Sequence, residues 1–207
     1  MNVRVKICGI TTLEDGLAAV DAGADALGFI FFEASPRWIS PESAAGIIRR
    51  LPPLVSKVGV FVNASERAVR EAISLSGIDT LQFHGDESPP FCAGFTPIKV
   101  YKAFRIQGLE TLEDLPRFKT DAWLLDSHVP EKSGGTGARF NWDLAVEAKK
   151  LGRPIILAGG LAPENVTEAV RQVRPFAVDV SSGVEATPGR KDPGRIRAFI
   201  NAVHSAG

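Results

Sequence analysis

The sequence predicts an α/β fold in which eight parallel strands close into a barrel covered by helices. Short apolar runs that are typical of strands recur along the 207 residues at a mean spacing of about 26 residues. Helical patterns separate these runs, as in repeated right-handed strand–helix–strand crossovers. No linker, low-complexity tract or charge block interrupts the alternation. We therefore expect a single domain over residues 1–207.

The eight predicted strands are bounded by turn-forming or helical segments. They span residues 3–7, 25–31, 57–62, 79–83, 98–104, 121–125, 154–158 and 176–180. An open, doubly wound sheet is the alternative. It is disfavoured because such sheets usually have about five or six strands, and because no G-x-G-x-x-G follows the first strand. The chain length lies at the short end of the range for a (β/α)₈ TIM barrel.

Helix starts are signalled at three places between the strands. Thr11 with Glu14 has the spacing of a capping box, and Ser40 precedes a proline that suits the first helical turn. Behind Pro163, apolar residues recur at i, i+3, i+4 and i+7, the pattern of an amphipathic helix. The unit over residues 105–120 has only a weak pattern, so its helix is expected to be short or irregular.

Composition favours a small-molecule ligand over a macromolecular one. Basic and acidic residues number 24 each, so no net charge attracts the chain to nucleic acid or to an anionic membrane. The N-terminus lacks a signal-peptide pattern, and no apolar run approaches the ~20 residues of a membrane span, so we expect a cytoplasmic protein. Cys8 and Cys92 are too few for a disulfide framework and have no metal-ligand spacing, so we expect reduced thiols and no metal.

Strand alternation separates an outer apolar face from an inner polar one. The residues expected to face the helices are Val3, Val5, Ile7, Leu81, Phe83, Leu125, Val178 and Val180. The residues expected to point into the barrel are Arg4, Lys6, Cys8, Gln82, His84, Asp126 and Asp179. Several of these end their strands, and barrel enzymes place their chemistry at the carboxyl ends of the strands. The pattern predicts an active site there.

Each inward polar residue also has a purely structural interpretation. A cysteine at a strand end is most often a small buried hydrophobic residue, so Cys8 need not be reactive. His84 before a glycine suits a hydrogen-bonded structural histidine. For Asp179, neutralising Lys6 or Arg4 inside the barrel is the favoured interpretation. The convergence of a thiol, an imidazole and carboxylates at one mouth is what favours chemistry over structure.

Glycine-bearing segments follow the last three strands and predict a phosphate site. These segments are "SGGTG" (133–137), "AGGL" (158–161) and "SSGVE" (181–185). Glycines let backbone N–H groups turn toward an anion, and barrels often bind phosphate after strands seven and eight. We expect backbone N–H groups of Gly160, Ser182 and Gly183 to hold the phosphate, with help from the loop 134–137. The substrate-binding residues expected in these segments are Gly135, Thr136, Gly137, Gly159, Gly160, Ser181, Ser182 and Gly183.

Taken in order, seven segments resemble the phosphoribosylanthranilate isomerase family of tryptophan biosynthesis. They are "KICGIT", "SPRWIS", "VGVFVN", "LQFHGDE", "LLDS" with "GGTG" and "FNW" after it, "LAGGLAPENV" and "VDVSSGVEATPGRKD". The resemblance covers nearly the whole chain. It implies a (β/α)₈ barrel that works without a cofactor and converts N-(5'-phosphoribosyl)anthranilate into 1-(2-carboxyphenylamino)-1-deoxyribulose 5-phosphate, an Amadori-type aldose-to-ketose rearrangement.

The resemblance also implies roles for individual residues. Cys8, in KICGIT, matches the general base, and Asp126, in LLDS, matches the general acid. Arg37, in SPRWIS, matches the arginine that receives the anthranilate carboxylate. We further expect His84 and Asp179 to contact the substrate. The expected partner is the small phosphosugar–anthranilate substrate, without nucleic acid or membrane, on a monomer or homodimer.

The proposed chemistry sets requirements on two of these residues. A carboxylic acid can protonate the sugar ring oxygen if burial raises its pKa above ~3.9. A thiol with an ordinary pKa near 8.5 is a weak base at neutral pH unless positive charge lowers that pKa. Lys6 shares the face of Cys8 but stands two residues, roughly 6–7 Å, along the strand.

Three other functions fit parts of the pattern. The histidine-pathway isomerase performs the same rearrangement on a related phosphosugar, but that family is expected to have an aspartate at the position of Cys8. A phosphate-ligand sensor would need no acid opposite the thiol. A thiol-redox protein would need a resolving cysteine, for which Cys92 is poorly placed.

Overall fold

A computed structural model describes residues 3–126 and 142–206, and within them eight parallel strands form a closed barrel. The strands follow one another around the barrel in chain order, and β1 pairs with both β2 and β8. They are β1 Arg4–Cys8, β2 Ala26–Ile30, β3 Ser56–Phe61, β4 Thr80–Phe83, β5 Lys99–Arg105, β6 Ala122–Asp126, β7 Ile155–Ala158 and β8 Ala177–Val180. The predicted (β/α)₈ barrel is confirmed.

Helices follow most of the barrel strands in the described parts of the chain. They are α1 Leu13–Asp21, α2 Pro41–Ile48, α3 Glu66–Ser76, α4 Pro89–Ala93, α5 Trp142–Lys149, α6 Val166–Val173 and α7 Pro193–His204. Between β5 and β6 the chain forms two short 3₁₀ helices, Leu109–Leu112 and Leu115–Arg117, so the expected irregularity is confirmed. After β8 come a 3₁₀ turn, Ser182–Val184, and an antiparallel pair, β9 Glu185–Thr187 and β10 Arg190–Lys191.

Two of the three predicted helix starts need correction. Ser40 caps α2 as predicted, accepting a hydrogen bond from the N–H of Ser43. Helix α1, however, is capped by Thr12, because the hydroxyl of Thr11 donates instead to the carbonyl of Gly189. Helix α6 begins at Val166, three residues after Pro163.

The late start of α6 follows from a turn that its N-cap residue holds together. The Asn165 side chain donates to the carbonyl of Gly160 and accepts from the N–H of Ala162. These two bonds fix the segment before the helix as a turn, so Pro163 lies in that turn rather than in the first helical turn. The turn also ties the end of β7 to the start of α6.

The core has two parts, as strand alternation predicted. The larger part lies between the barrel and its helices and includes the predicted outward residues Val3, Val5, Ile7, Leu81, Phe83, Leu125, Val178 and Val180. A smaller cluster fills the barrel interior with Ala103, Ala122, Leu124, Ile156, Ala158 and Ala177. The small interior side chains leave room for polar groups from other strands.

Arg4 is an exception to the predicted alternation. Its side chain is 61% exposed and pairs with Asp25 at 2.7 Å instead of pointing into the barrel. Arg4 begins β1 at the amino end of the barrel, where a long side chain reaches water, and a charged group avoids the cost of burial there. None of the helices in the described residues has the length and apolar character needed to cross a bilayer.

Candidate active site

A cavity of about 310 Å³ opens at the carboxyl ends of the barrel strands and collects most of the predicted site residues. Those on its wall are Cys8, Arg37, His84, Asp126, Gly159, Gly160, Asp179, Ser181 and Ser182. Gly183 lies behind the wall, where its backbone packs against the carbonyl of Leu161. Gly135, Thr136 and Gly137 lie outside the described residues. One cavity thus brings together groups from several strands.

Cys8 ends β1 with its side chain buried at the floor of the cavity. Gly28 on the neighbouring strand makes room for it, since a Cβ at Gly28 would lie 2.6 Å from Cys8 Sγ and 3.1 Å from Lys6 Nζ. Burial raises the pKa of the Cys8 thiol above its ordinary value, and the Lys6 ammonium offsets only part of that rise. The burial of Cys8 thus favours the protonated thiol.

Lys6 and Asp179 form an ion pair inside the barrel beneath Cys8. Lys6 Nζ donates to Asp179 Oδ1 at 2.8 Å, and both residues are buried. The register of β1 against β8 sets these two residues side by side. Burial alone would lower the pKa of Lys6. The interactions with Asp179 and Cys8 have a larger, opposite effect, so the pKa of Lys6 is raised. The favoured structural interpretation of Asp179 is confirmed for Lys6 and wrong for Arg4, which lies outside.

Asp126 ends β6 and is hydrogen-bonded to His84 at the end of β4. His84 Nε2 lies 3.1 Å from Asp126 Oδ2, and His84 Nδ1 lies 3.0 Å from Gln82 Nε2. With the Gln82 amide donating to Nδ1, the neutral imidazole carries its proton on Nε2 and donates to Asp126. His84 thereby fixes the direction of the Asp126 carboxyl group at the cavity wall.

Arg37 reaches the cavity from the loop after β2 and is held by a carboxylate. Its Nε and Nη2 donate to Glu185 Oε1 and Oε2 at 2.8 and 2.7 Å. Lys191 Nζ donates to the same Glu185 Oε1 at 2.9 Å. Gly9 lies beneath Arg37 with φ +80°, and a Cβ there would come within 2.7 Å of Arg37 Cδ. This explains why the first strand is followed by glycine.

Two residues that line the cavity carry a buried side-chain atom with no hydrogen-bond partner among the described residues. The atoms are Gln82 Oε1 and Ser181 Oγ. Buried polar atoms are nearly always paired, so these two are exceptions among the described residues. Ser181 follows β8, where the sequence predicted a phosphate.

Sequence reasoning missed three residues that build the site. Gly28 is indistinguishable from an ordinary strand glycine until Cys8 and Lys6 are placed beside it. Glu185 and Lys191 both lie in quoted segments of the sequence, but neither was assigned a role. The local signal for Glu185 was weak, because its partner Arg37 lies 148 residues away in the chain, and the role of Lys191 depends on Glu185.

The two cysteines are free and separate, and the described residues contain no cluster suited to a metal. Cys92 is buried in α4, where burial raises its pKa to about 11. A thiol so strongly held in its protonated form is a poor nucleophile for disulfide exchange. Burial thus makes Cys92 poorly suited to resolve a disulfide with Cys8.

The closed barrel with a carboxyl group and a thiol at the carboxyl-end mouth defines an enzyme of the (β/α)₈-barrel class. Residues 5–202 match the family model described as N-(5'-phosphoribosyl)anthranilate (PRA) isomerase. The chain belongs to this family and is an isomerase of tryptophan biosynthesis. The resemblance stated from the motifs is confirmed.

Relatives and solved structures agree with this assignment. The chain is 59% identical to N-(5'-phosphoribosyl)anthranilate isomerase of Citrifermentans bemidjiense over 95% of each chain, and 54% identical to that of Geobacter sulfurreducens over 96% and 97%. The crystal structure of the Thermotoga maritima enzyme superposes with a TM-score of 0.92 at 45% identity, covering 98% of this chain and 99% of that one. A thiamine phosphate pyrophosphorylase from Pyrococcus furiosus, at 15% identity and TM-score 0.72, shares the fold alone.

Proposed function

We propose that this enzyme converts N-(5'-phosphoribosyl)anthranilate into 1-(2-carboxyphenylamino)-1-deoxyribulose 5-phosphate, with Asp126 as general acid and Cys8 as general base. The observation that carries the proposal is that Asp126 and Cys8, on different strands, line one cavity together with Arg37. A related phosphoribosyl anthranilate isomerase, 43% identical, has been solved with the reduced form of this product.

The first chemical step opens the sugar ring. Asp126 gives its proton to the furanose ring oxygen, the bond from that oxygen to C1 breaks, and the nitrogen lone pair forms the C1=N bond. The His84 hydrogen bond at 3.1 Å directs the Asp126 carboxyl toward the cavity. A fixed acid gains effectiveness because its approach to the ring oxygen is already oriented.

The second step moves the double bond. The cationic C1=N group acidifies the proton on C2, the Cys8 thiolate removes it, and the resulting enaminol gains a proton at C1 and loses one from its hydroxyl to give the ketone. No electrons enter or leave the molecule. Lys6, buried under Cys8, supplies the positive charge that a thiolate needs as a counterion.

The substrate spans the cavity between two binding regions. We place its phosphate at Gly159, Gly160, Ser181 and Ser182, after β7 and β8, with the segment 135–137 as a further expected contact. The position of these residues after β7 and β8, where barrels often bind phosphate, supports this orientation. The anthranilate carboxylate then faces Arg37, and His84 and Asp179 border the sugar between them.

The proposal is tested by generating phosphoribosylanthranilate in situ and following the loss of its fluorescence with and without the protein. Acceleration of the loss, with formation of the ketose product by mass and chromatography, is the expected result. Binding without turnover would favour the phosphate-sensor alternative. Turnover of the histidine-pathway substrate but not of phosphoribosylanthranilate would favour the other isomerase.

We further propose that the enzyme is one domain over residues 1–207 and acts in the cytoplasm as a monomer or a homodimer. The two free cysteines suit a reducing compartment. A Thermotoga maritima relative at 42% identity has been solved as monomers generated from a dimeric enzyme. Sedimentation velocity across a range of protein concentrations distinguishes the two oligomeric states.

A further inference from the structure

One edge of the Arg37 guanidinium is hydrogen-bonded within the protein itself. Its Nε and Nη2 form two parallel hydrogen bonds with the Glu185 carboxylate, at 2.8 and 2.7 Å. In the described part of the chain, no other side chain or carbonyl accepts from this guanidinium. The opposite edge, which carries the two terminal nitrogens, remains available to a second planar acceptor.

Glu185 is itself fixed by a buried cation. Lys191 Nζ donates to Glu185 Oε1 at 2.9 Å and to the carbonyl of Ser181 at 3.2 Å, and the Lys191 side chain has no exposed surface. Only 5% of the Glu185 side chain is exposed. Hydrogen bonds from Arg37 and Lys191 overcome the effect of burial and hold the pKa of Glu185 below its ordinary value.

The stem of Arg37 has equally little freedom. It passes so close over Gly9 that a single added carbon there would lie 2.7 Å from Arg37 Cδ. The stem of Arg37 packs against the backbone, and Glu185 holds one edge of its guanidinium. The orientation of the other edge is therefore fixed. The cluster of Arg37, Glu185 and Lys191 keeps one net positive charge, so it still attracts an anion.

We propose that Glu185 is a positioning residue that selects the arylamine half of the substrate, by holding Arg37 with its free guanidinium edge toward the ring carboxylate. This inference rests on the proposed function, since it concerns the anthranilate carboxylate. It extends that proposal by assigning specificity to a residue that touches Arg37 rather than the substrate. A bidentate arginine–carboxylate contact loses most of its strength when the guanidinium is rotated out of alignment. The orientation of Arg37 therefore determines the affinity for the ring carboxylate.

A merely structural Glu185, holding the β9–β10 pair in place, predicts a different behaviour. Loss of such a residue would weaken every substrate alike, because the nearby phosphate-binding turn would shift. A positioning residue affects only ligands that carry the ring carboxylate. The comparison of two ligands that differ in this one group therefore separates the two roles.

The test uses Glu185→Gln with phosphoribosylanthranilate and with phosphoribosylaniline, which has the same sugar phosphate but no ring carboxylate. We expect kcat/KM for phosphoribosylanthranilate to fall at least about tenfold, mainly through KM, with kcat within about threefold. The value for phosphoribosylaniline should change less than about twofold. Glu66→Gln, which removes the same charge from a surface pair with Arg70, is the matched control and should change neither substrate.

Two further variants complete the design. In Arg37→Ala/Glu185→Gln the loss should not exceed that of Arg37→Ala alone, because Glu185 acts through Arg37. Glu185→Asp keeps the charge that Lys191 needs but retracts the carboxylate by one methylene, so it should show the same selective rise in KM. If Glu185→Gln fails to fold, Glu185→Asp takes its place in the comparison. Thermal unfolding measures whether each variant is folded.

Binding measurements separate this inference from the proposed function. Calorimetry with the reduced product and with its analogue lacking the ring carboxylate measures selectivity without turnover. A wild-type preference for the carboxylate that Glu185→Gln abolishes supports the inference whatever the turnover assay shows. Equal losses for both ligands, or no loss for either, would overturn it even if the isomerase activity is established.

Discussion

Lys6 Nζ lies 2.8 Å from Asp179 Oδ1 inside the barrel, directly beneath the thiol of Cys8. Both side chains are almost completely removed from water, at 3% and 9% exposure. A buried ion pair of this kind contributes little net stability. Removing one partner is nevertheless destabilising, because the other charge remains buried in an apolar interior without a counterion. The same ion pair therefore affects both the stability of the barrel and the electrostatic surroundings of Cys8.

Lys6→Met should lower the free energy of unfolding by about 3–5 kcal/mol, because Asp179 would remain buried without a counterion. Urea denaturation measures the loss. In Lys6→Met/Asp179→Asn most of it should be recovered. Since the pKa of Lys6 is raised in the folded state, the contribution should be fully present from neutral pH to about pH 10 and be lost only at higher pH.

Lys57→Met is the control for this prediction. Lys57 pairs with Asp79 at 3.1 Å near the surface, and Asp79 remains hydrated when its partner is removed. The expected cost is below about 1 kcal/mol. Equal costs for Lys6→Met and Lys57→Met would contradict the distinction between a buried and a surface pair.

Gly28→Ala should lower turnover at least tenfold while the barrel still folds, since the added Cβ would lie about 2.6 Å from Cys8 Sγ and displace it. The matched change is Gly46→Ala in α2, where a Cβ meets nothing within 4 Å. That variant should keep full activity and gain up to about 1 kcal/mol of stability from helix propensity. Steady-state kinetics and thermal unfolding measure both. Wild-type turnover in Gly28→Ala would show that the position of Cys8 is not critical.

Strand alternation predicted much of the site, because a period of two decides which side chains enter a barrel whatever their partners are. It failed for Arg4, whose long side chain escapes to water at the open end of β1. The prediction of Thr11 as the helix cap was also wrong. A tertiary contact takes up the Thr11 hydroxyl, which donates to the carbonyl of Gly189, and Thr12 caps α1 instead.

The residues that were not predicted depend on long-range packing. Arg37 was assigned to a carboxylate through a family motif, but nothing near it in sequence indicates that Glu185 holds one edge of its guanidinium. The role of Gly28 likewise emerges only when β1 lies beside β2 and brings Cys8 close. The local sequence pattern thus predicted which end of the barrel carries the site. The groups that orient its reactive residues could be identified only from the three-dimensional packing.

Asp126→Asn should lower kcat by about 10²-fold or more, because the amide keeps the size and the His84 contact but has no proton to give. Affinity for the reduced product should change little. Asp86→Asn, an exposed carboxylate two residues after His84, is the control and should retain wild-type kcat. Near-normal turnover in Asp126→Asn would assign the acid role to another group.

Cys8→Ala and Cys8→Ser should both nearly abolish turnover while leaving affinity for the reduced product intact. Burial raises the pKa of Cys8 above its ordinary value, so the thiolate fraction and the wild-type rate should still be increasing at pH 9. Cys8→Asp supplies a base that is already ionised at neutral pH, so its rate should lack this increase. Single-turnover measurements with deuterium at C2 show whether proton removal limits the rate. The same alkaline increase in Cys8→Asp would exclude the thiol as the titrating base and favour His84.

Gly183→Ala tests the phosphate site, because a Cβ at Gly183 would collide with the carbonyl of Leu161 and force apart the turns that follow β7 and β8. Backbone N–H groups bind phosphate only when their directions converge, so separating the turns should raise KM about tenfold or more for the phosphorylated substrate. The dephosphorylated substrate should react poorly with wild type and no worse with Gly183→Ala, since neither turn contacts it. Gly46→Ala again controls for the added methyl group. If both substrates lose equally in Gly183→Ala, the change acts on the barrel as a whole, and the phosphate must bind elsewhere on the mouth.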